Sequence, residues 1–263
     1  WKYIYKVIVL SNQSLSVIDS HKNLLSTNQI TEFTAEVRAV RALFYYYAMD
    51  MFGNIPLVTS HDVAIEQVVT NKRSEVFKFI VDELQAVAPV LADARSNTPG
   101  DYYGRVTRPV AHFLLAKLAL NAEIYSDDNW TDGNRPDGKN IYFTVNGEKK
   151  NAWQACIWYC QQLTDEGYEL ETDYASNFIV HNENSKENIF TIPLDKNLYP
   201  NEYHYQFRSR HYKHGGAYGC AAENGTCATV STVKAFGYGT SQVDPRFYIN
   251  FYADEVSVDG NKI

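Results

Sequence analysis

Apolar residues recur at steps of three and four through the first two-thirds of the chain, the period of helices with one face turned inward. Residues 1 to 18 place Trp1, Ile4, Ile8, Ser11, Leu15 and Ile18 on one stripe. A second helix is expected from Thr31, which can cap, with Glu32 suited to the positive end. Its inner stripe reads Phe33, Val37, Val40, Phe44, Tyr47 and Met51. A third starts near Ser74, turns Phe77, Ile80, Leu84 and Val87 inward and stops by Pro89. The fourth begins after Thr107, tolerates Pro109 in its first turn and carries Ala111, Leu115, Leu118, Ala122 and Tyr125. The fifth opens on Asn151 with Gln154 three residues later and ends at Gly167, with Trp153, Cys156, Cys160 and Leu163 as its inner face.

Residues 35 to 49 hold a second stripe, Ala35, Ala39 and Ala42, beside the bulky one. A helix apolar on two sides sits between neighbours, as in stacked helical hairpins. No fixed period repeats cleanly, so a tetratricopeptide-type array here is degenerate. Within "FYYYAMDMFGNIPLV" successive residues point about 100° apart, so Tyr45, Tyr46 and Tyr47 form no single stacking platform. The pattern sends Tyr47 to the core and Tyr46 to the alanine side. It leaves Tyr45 with Arg38 and Arg41 on a polar seam that meets water. Gly53 can take the left-handed conformation past the helix end, and Pro56 holds Ile55 extended.

From about residue 180 the texture changes. "YPNEYHYQFRSRHYKHGGAY", residues 199 to 218, has five Tyr, three His and two Arg with no helical period. A short helix-like "TVSTVKAFGYG" follows. "DPRFYINFYADEVSVDGNKI" then alternates like a strand and reaches Asp-Gly, a hairpin signal, with no return strand expected in the three residues left. A hairpin cut at its turn, and an opening in mid-pattern at Trp1, suggest a piece of a longer protein. The reading is mainly α: residues 1–179 a tetratricopeptide-like scaffold, residues 180–263 a truncated loop-rich ligand-binding part with minor β, forming one continuous structural unit.

Composition narrows the chemistry. The net charge of −7 disfavours nucleic acid and anionic lipid as partners. Twenty Tyr against two Met is the unusual count, and tyrosine couples a flat apolar face to a polar tip. The loop region therefore supplies the candidate ligand site: Tyr199, Asn201, Tyr203, Tyr205, Arg208, His211 and Tyr218 offer rings for sugar C–H faces and polar groups for hydroxyls. Alternate members of that set can equally point inward as loop core. Cys156 and Cys160 read as helix packing, while Cys220 and Cys227 flank a Gly-rich loop and can bridge in an oxidising compartment. The acidic stretch 126–140 has oxygen ligands for a structural calcium but lacks the EF-hand order, so a solvated loop is the first reading. His204, His211 and His214 lack metal-ligand spacing. With no nucleophile elbow, HExxH helix, phosphate loop or dinucleotide fingerprint, no cofactor and no catalytic residues are expected.

Several stretches resemble the SusD/RagB family of outer-membrane glycan-binding lipoproteins. "AEVRAVRALFYYYAMDMFGNIPLV" at 35 to 58 is similar to the family's helix ending in Phe-Gly-(Asp/Asn)-(Ile/Val)-Pro-Leu. "YGRVTRPVAHFLLAKLALNAEIY", "WKYIYKVIVLSNQSL", "ENIFTIPL" and "DPRF" are similar to further stretches, in the family's order. The resemblance implies tetratricopeptide-like helix pairs packed against a loop-rich ligand-holding part. It implies no enzymatic activity, a lipid-anchored place at the cell surface, and capture of oligosaccharide or polysaccharide beside a SusC-type TonB-dependent transporter. The residues around 215 to 247 lean toward the starch-utilising members. The matching motifs are scaffold and carry no ligand contacts across. Two other readings of the same residues are an all-α glycoside hydrolase and a helical-repeat scaffold for a protein partner.

Overall fold

Large aliphatic residues mark the buried faces of the helices Lys2–Ser20 and Arg73–Val87, whereas small residues mark those of Thr27–Phe52 and Ala152–Asp165. The computed structural model describes residues 1–194, 197, 209–219 and 222–263. They divide into two compact units, one of residues 1–171 and 181–191, the other of residues 172–180 and 192–263.

In the first unit α1 (Lys2–Ser20), α2 (Thr27–Phe52), α3 (Arg73–Val87), α4 (Arg108–Leu120), the single turn α5 (Ala122–Tyr125) and α6 (Ala152–Asp165) follow in order. Helix α2 packs against both α1 and α3, and α4 packs against α6. Ala35, Ala39 and Ala42 are buried in the core with Tyr46 and Met49. The bulky stripe expected to be the inner one is the outer one: Phe33 and Met51 are exposed, and Val37, Val40, Phe44 and Tyr47 are half-buried. Methyl-sized side chains let two neighbouring backbones approach α2, and the larger residues then cover the margins of those contacts. The same rotation recurs on α6, where Ala152, Ala155, Tyr159 and Leu163 are buried while Cys156 is half-buried and Cys160 exposed. Burial and the neighbouring Cys160 push the Cys156 thiol up to about 11, as for an unreactive packing residue.

Helix boundaries follow local hydrogen bonding. The expected cap at Thr31 lies a full turn inside α2. Ser26 caps instead, accepting from the Gln29 N–H at 3.3 Å while the Gln29 side chain accepts from the Ser26 N–H at 3.0 Å. That Ser-x-x-Gln pattern was the available signal. Asn151 and Gln154 make the equivalent reciprocal pair at the start of α6, as expected. Gly53 ends α2 with φ 71° and ψ −102°, a positive φ outside the left-handed helical region and open to glycine alone. Beyond it β1 (Ile55–Pro56) pairs antiparallel with β2 (Thr70–Asn71). A second hairpin, β3 (Tyr142–Val145) with β4 (Glu148–Asn151), turns over Asn146 and Gly147, both at positive φ.

The seam expected to meet water is buried. Tyr45 has no exposure, and its hydroxyl donates to the Val58 carbonyl and accepts from the Val58 N–H, both at 2.7 Å. Burial pushes this phenol up to about 12. Arg41, 5% exposed, donates to Glu83 at 2.8 Å, to Asn12 Oδ1 at 2.8 Å and to the Thr59 carbonyl at 3.2 Å. Arg38 approaches the same carboxylate at 2.6 and 3.1 Å. Burial alone would raise the Glu83 carboxyl, but hydrogen bonds from the two guanidinium groups outweigh it and hold the group below the usual carboxylate range. The polar seam is an ion cluster joining α1, α2, α3 and the segment after β1, and Tyr45 is its apolar floor.

The second unit contains α7 (Tyr212–Tyr218), α8 (Val230–Ala235), α9 (Phe247–Asn250) and a hairpin of β5 (Ser257–Val258) with β6 (Asn261–Lys262). Two expectations are corrected here. Residues 247 to 250 form a helical turn in place of a strand, and Asp-Gly at 259 and 260 is followed by a return strand, two residues long. Asp259 and Gly260 both take positive φ, which matches the twist of so tight a hairpin. No helix among the described residues is long and apolar enough to cross a membrane.

Candidate ligand site

Of the residues expected to bind ligand, Tyr199, Asn201, Tyr203, Tyr205 and Arg208 lie outside the described residues. His211 and Tyr218 sit at opposite ends of α7, a helix inside a stretch expected to have none. His211 caps it, its Nδ1 accepting from the Lys213 N–H at 3.3 Å, and Gly219 closes it in the left-handed conformation. The Tyr212 N–H donates to Asn224 Oδ1 at 2.7 Å, tying the start of α7 to the Gly-rich loop. Tyr218 is exposed, and its ring stacks on buried His214 with centroids 5.8 Å apart.

The more complete constellation comes from residues 238 to 254. Phe247 and Phe251 are one helical turn apart, so both rings turn into one cluster with Phe236 and Tyr238. Tyr248 on this turn and Tyr252 just past it are both exposed. "DPRF" makes the turn possible: Asp244 accepts from the Arg246 N–H at 2.9 Å and pairs with the Arg246 guanidinium at 2.5 Å. Hydrogen bonds from that side chain and N–H hold the Asp244 carboxyl at about 2.

These residues wall a cavity of 990 Å³. Tyr238, Tyr248 and Tyr252 supply flat faces, while Asn250, Asp254 and Arg210 supply directional polar groups. The Tyr238 hydroxyl donates to Asp254, and Asn250 contacts the Tyr174 hydroxyl at 3.3 Å. Arg210 lies 5.9 Å from the Tyr218 ring and 5.8 Å from that of Tyr252, over their faces. A cavity of this size lined by both aromatic rings and polar side chains suits a ligand with flat apolar faces and hydroxyl groups at once. Sequence reading named no residue of this second cluster, for which the Phe-Tyr-x-x-Phe-Tyr spacing was the available signal.

Cation chemistry finds less support. Among the described residues no group of three or more His, Cys, Asp or Glu side chains could hold a metal ion. In the acidic loop Asp127 is buried, accepts from the Asn129 N–H at 2.9 Å and pairs with Arg135 at 3.0 Å. Cys227 is a free, exposed thiol; Cys220 lies outside the described residues.

The chain is thus a helical-hairpin protein whose separate aromatic unit carries a ligand-sized cavity. No family model matches it. It is 24% identical over 195 residues to a SusD-like protein of Bacteroides ovatus, covering 73% of this chain and 32% of that protein. It is 26% identical over 162 residues to the starch-binding protein SusD of Bacteroides thetaiotaomicron, covering 61% of this chain and 24% of that one. The solved structure of a laminarin binding SusD-like protein superposes with a TM-score of 0.55 at 26% identity, over 72% of this chain and 36% of that chain. The chain is thus similar in sequence to SusD-like proteins, and its helical fold with small sheets is the one they share. The chain spans about a third or less of the curated relatives it matches, 32% and 24% of the two named.

Proposed function

We propose that this chain is part of a non-enzymatic glycan-binding protein that captures oligosaccharide or polysaccharide at the cell surface and delivers it to a SusC-type TonB-dependent transporter. The aromatic cavity carries the reading: Tyr238, Tyr248 and Tyr252 line it together with Asn250 and Arg210. Sugar binding of this kind stacks apolar C–H faces on rings and pairs hydroxyls at their edges. The relatives named for binding starch and laminarin point to the same ligand class. In this reading residues 1–179 are the tetratricopeptide-like scaffold and residues 180–263 the ligand-binding part of one continuous unit, and the whole protein sits lipid-anchored on the outer membrane. The loop carrying Tyr199, Asn201, Tyr203, Tyr205 and Arg208 adds contacts to those of His211 and Tyr218.

Hydrolysis fits the cavity less well than binding. Glycoside cleavage uses two carboxyl groups across the scissile bond. Among the described lining residues Asp254 is the one carboxylate, and the Tyr238 hydroxyl occupies it. Electrophoresis of the intact chain through gels containing amylopectin, laminarin or xyloglucan tests the proposal. Wild type is expected to be retarded in at least one gel, without releasing reducing ends, and Tyr252→Ala to migrate freely. Equal mobility in every gel would remove the carbohydrate assignment. Copurification with a large β-barrel transporter tests delivery separately.

A further inference from the structure

We infer that His214 is the positioning residue that fixes Tyr252 in the cavity wall, its ring stacked between those of Tyr252 and Tyr218. The inference rests on the cavity's being the carbohydrate site. His214 is 2% exposed, yet neither Nδ1 nor Nε2 has a hydrogen-bond partner. Buried polar atoms are ordinarily bonded, and an orphaned one calls for an explanation. What surrounds the ring is two other rings: Tyr252 with centroids 4.7 Å apart at 29°, and Tyr218 at 5.8 Å and 20°. The histidine therefore contributes a flat face rather than a donor or acceptor. Of the three rings, Tyr252 is the one that borders the cavity. It lies just past α9 in the extended segment 251–253, where no helical hydrogen bond holds it.

Without His214 against it Tyr252 loses its backing, and the ligand loses a preorganised face.

Titration calorimetry of the intact chain with maltoheptaose, laminarihexaose and a xyloglucan heptasaccharide tests this. His214→Ala is expected to bind about tenfold more weakly than wild type, whereas His214→Phe, which keeps the flat ring and removes the orphaned nitrogens, should bind as wild type does. If His214→Phe weakens as much as His214→Ala, or His214→Ala binds as wild type does, the inference is overturned. Loss of binding in Tyr252→Ala would leave the cavity reading standing in that case. If wild type binds none of the three sugars, the functional reading fails instead. The ring contact is then judged by fluorine NMR of 3-fluorotyrosine-labelled protein, with the Tyr252 signal assigned from Tyr252→Phe. A signal that moves further in His214→Ala than in His214→Phe supports it, and a signal unmoved by His214→Ala refutes it.

Discussion

Removing Glu83 is the sharpest perturbation of the helical unit. Its carboxylate accepts from Arg41 at 2.8 Å and from Arg38 at 2.6 Å, and its side chain is 13% exposed. Glu83→Ala leaves the Arg41 guanidinium, 7% exposed, without a counter-charge. Deleting one partner of a buried pair typically costs about 3–5 kcal/mol. Two features place this case at the low end of that range. Arg41 keeps Asn12 and the Thr59 carbonyl as acceptors, and Arg38, 31% exposed, can turn to water. The expected loss is about 3 kcal/mol, which for a domain of this size lowers the melting temperature by about 2–4 °C per kcal/mol. All four tryptophans, Trp1, Trp130, Trp153 and Trp158, lie in this unit, so urea unfolding followed by tryptophan fluorescence reports on it selectively. Asp82→Ala supplies the control, because its pair with Lys78 is 58% and 74% exposed and is worth at most about 0.5 kcal/mol. A Glu83→Ala loss below about 1 kcal/mol, or one matching the control, would refute the view that this cluster is a buried ionic joint.

Three further outcomes follow from the same packing. Tyr45→Ala should destabilise the first unit by about 3–5 kcal/mol and half-buried Tyr47→Ala by clearly less, checked by the same unfolding curves. Equal losses, or the reverse order, would contradict the assignment of Tyr45 to the core. Gly138→Ala would put a Cβ 2.5 Å from the Trp153 ring, so that ring must move. A shifted Trp153 emission and a loss of about 1–3 kcal/mol are expected, and an unchanged spectrum would count against the contact. The third concerns acid. Glu83 has a folded-state pKa below its unfolded one, so its stabilisation is complete above the unfolded value of about 4.3 and is lost as pH falls through the folded value. Wild type should lose stability through that window, whereas Glu83→Gln should lose less over the same range; parallel acid profiles would remove Glu83 from the account.

The helices were legible because their periodicity and punctuation are local. Phe77, Ile80, Leu84 and Val87 on α3, the Thr107-Pro109 start of α4 and the Asn151-Gln154 cap of α6 all needed nothing beyond neighbouring residues. The orientation of α2 was legible in part: its alanine stripe and a place between two neighbours were read correctly, but not that the bulky stripe would leave Phe33 and Met51 exposed. An isolated helix would bury Phe33 and Met51, whereas one between α1 and α3 gains more by burying Ala35, Ala39 and Ala42 against both. Tyr45 followed from the same error: a residue beside two arginines reads as wet unless Glu83, more than forty positions later, is known to neutralise them. An aromatic site was anticipated in the C-terminal third on Tyr199 to Tyr218, five of whose seven named residues lie outside the described residues, and the cluster at 238 to 254 was not anticipated. "FYINFY" satisfies period two and period four together, so its local pattern does not choose between strand and helical turn.

The central claim is that Tyr248 and Tyr252 face a carbohydrate. Hydrogen–deuterium exchange of the intact chain, with and without saturating maltoheptaose, laminarihexaose or xyloglucan heptasaccharide, tests it most directly. The account expects slowed exchange confined to peptides covering residues 209–219 and 244–256, with α2 and α6 unchanged. Protection confined to the helical unit, or none with any of the three sugars, would contradict it.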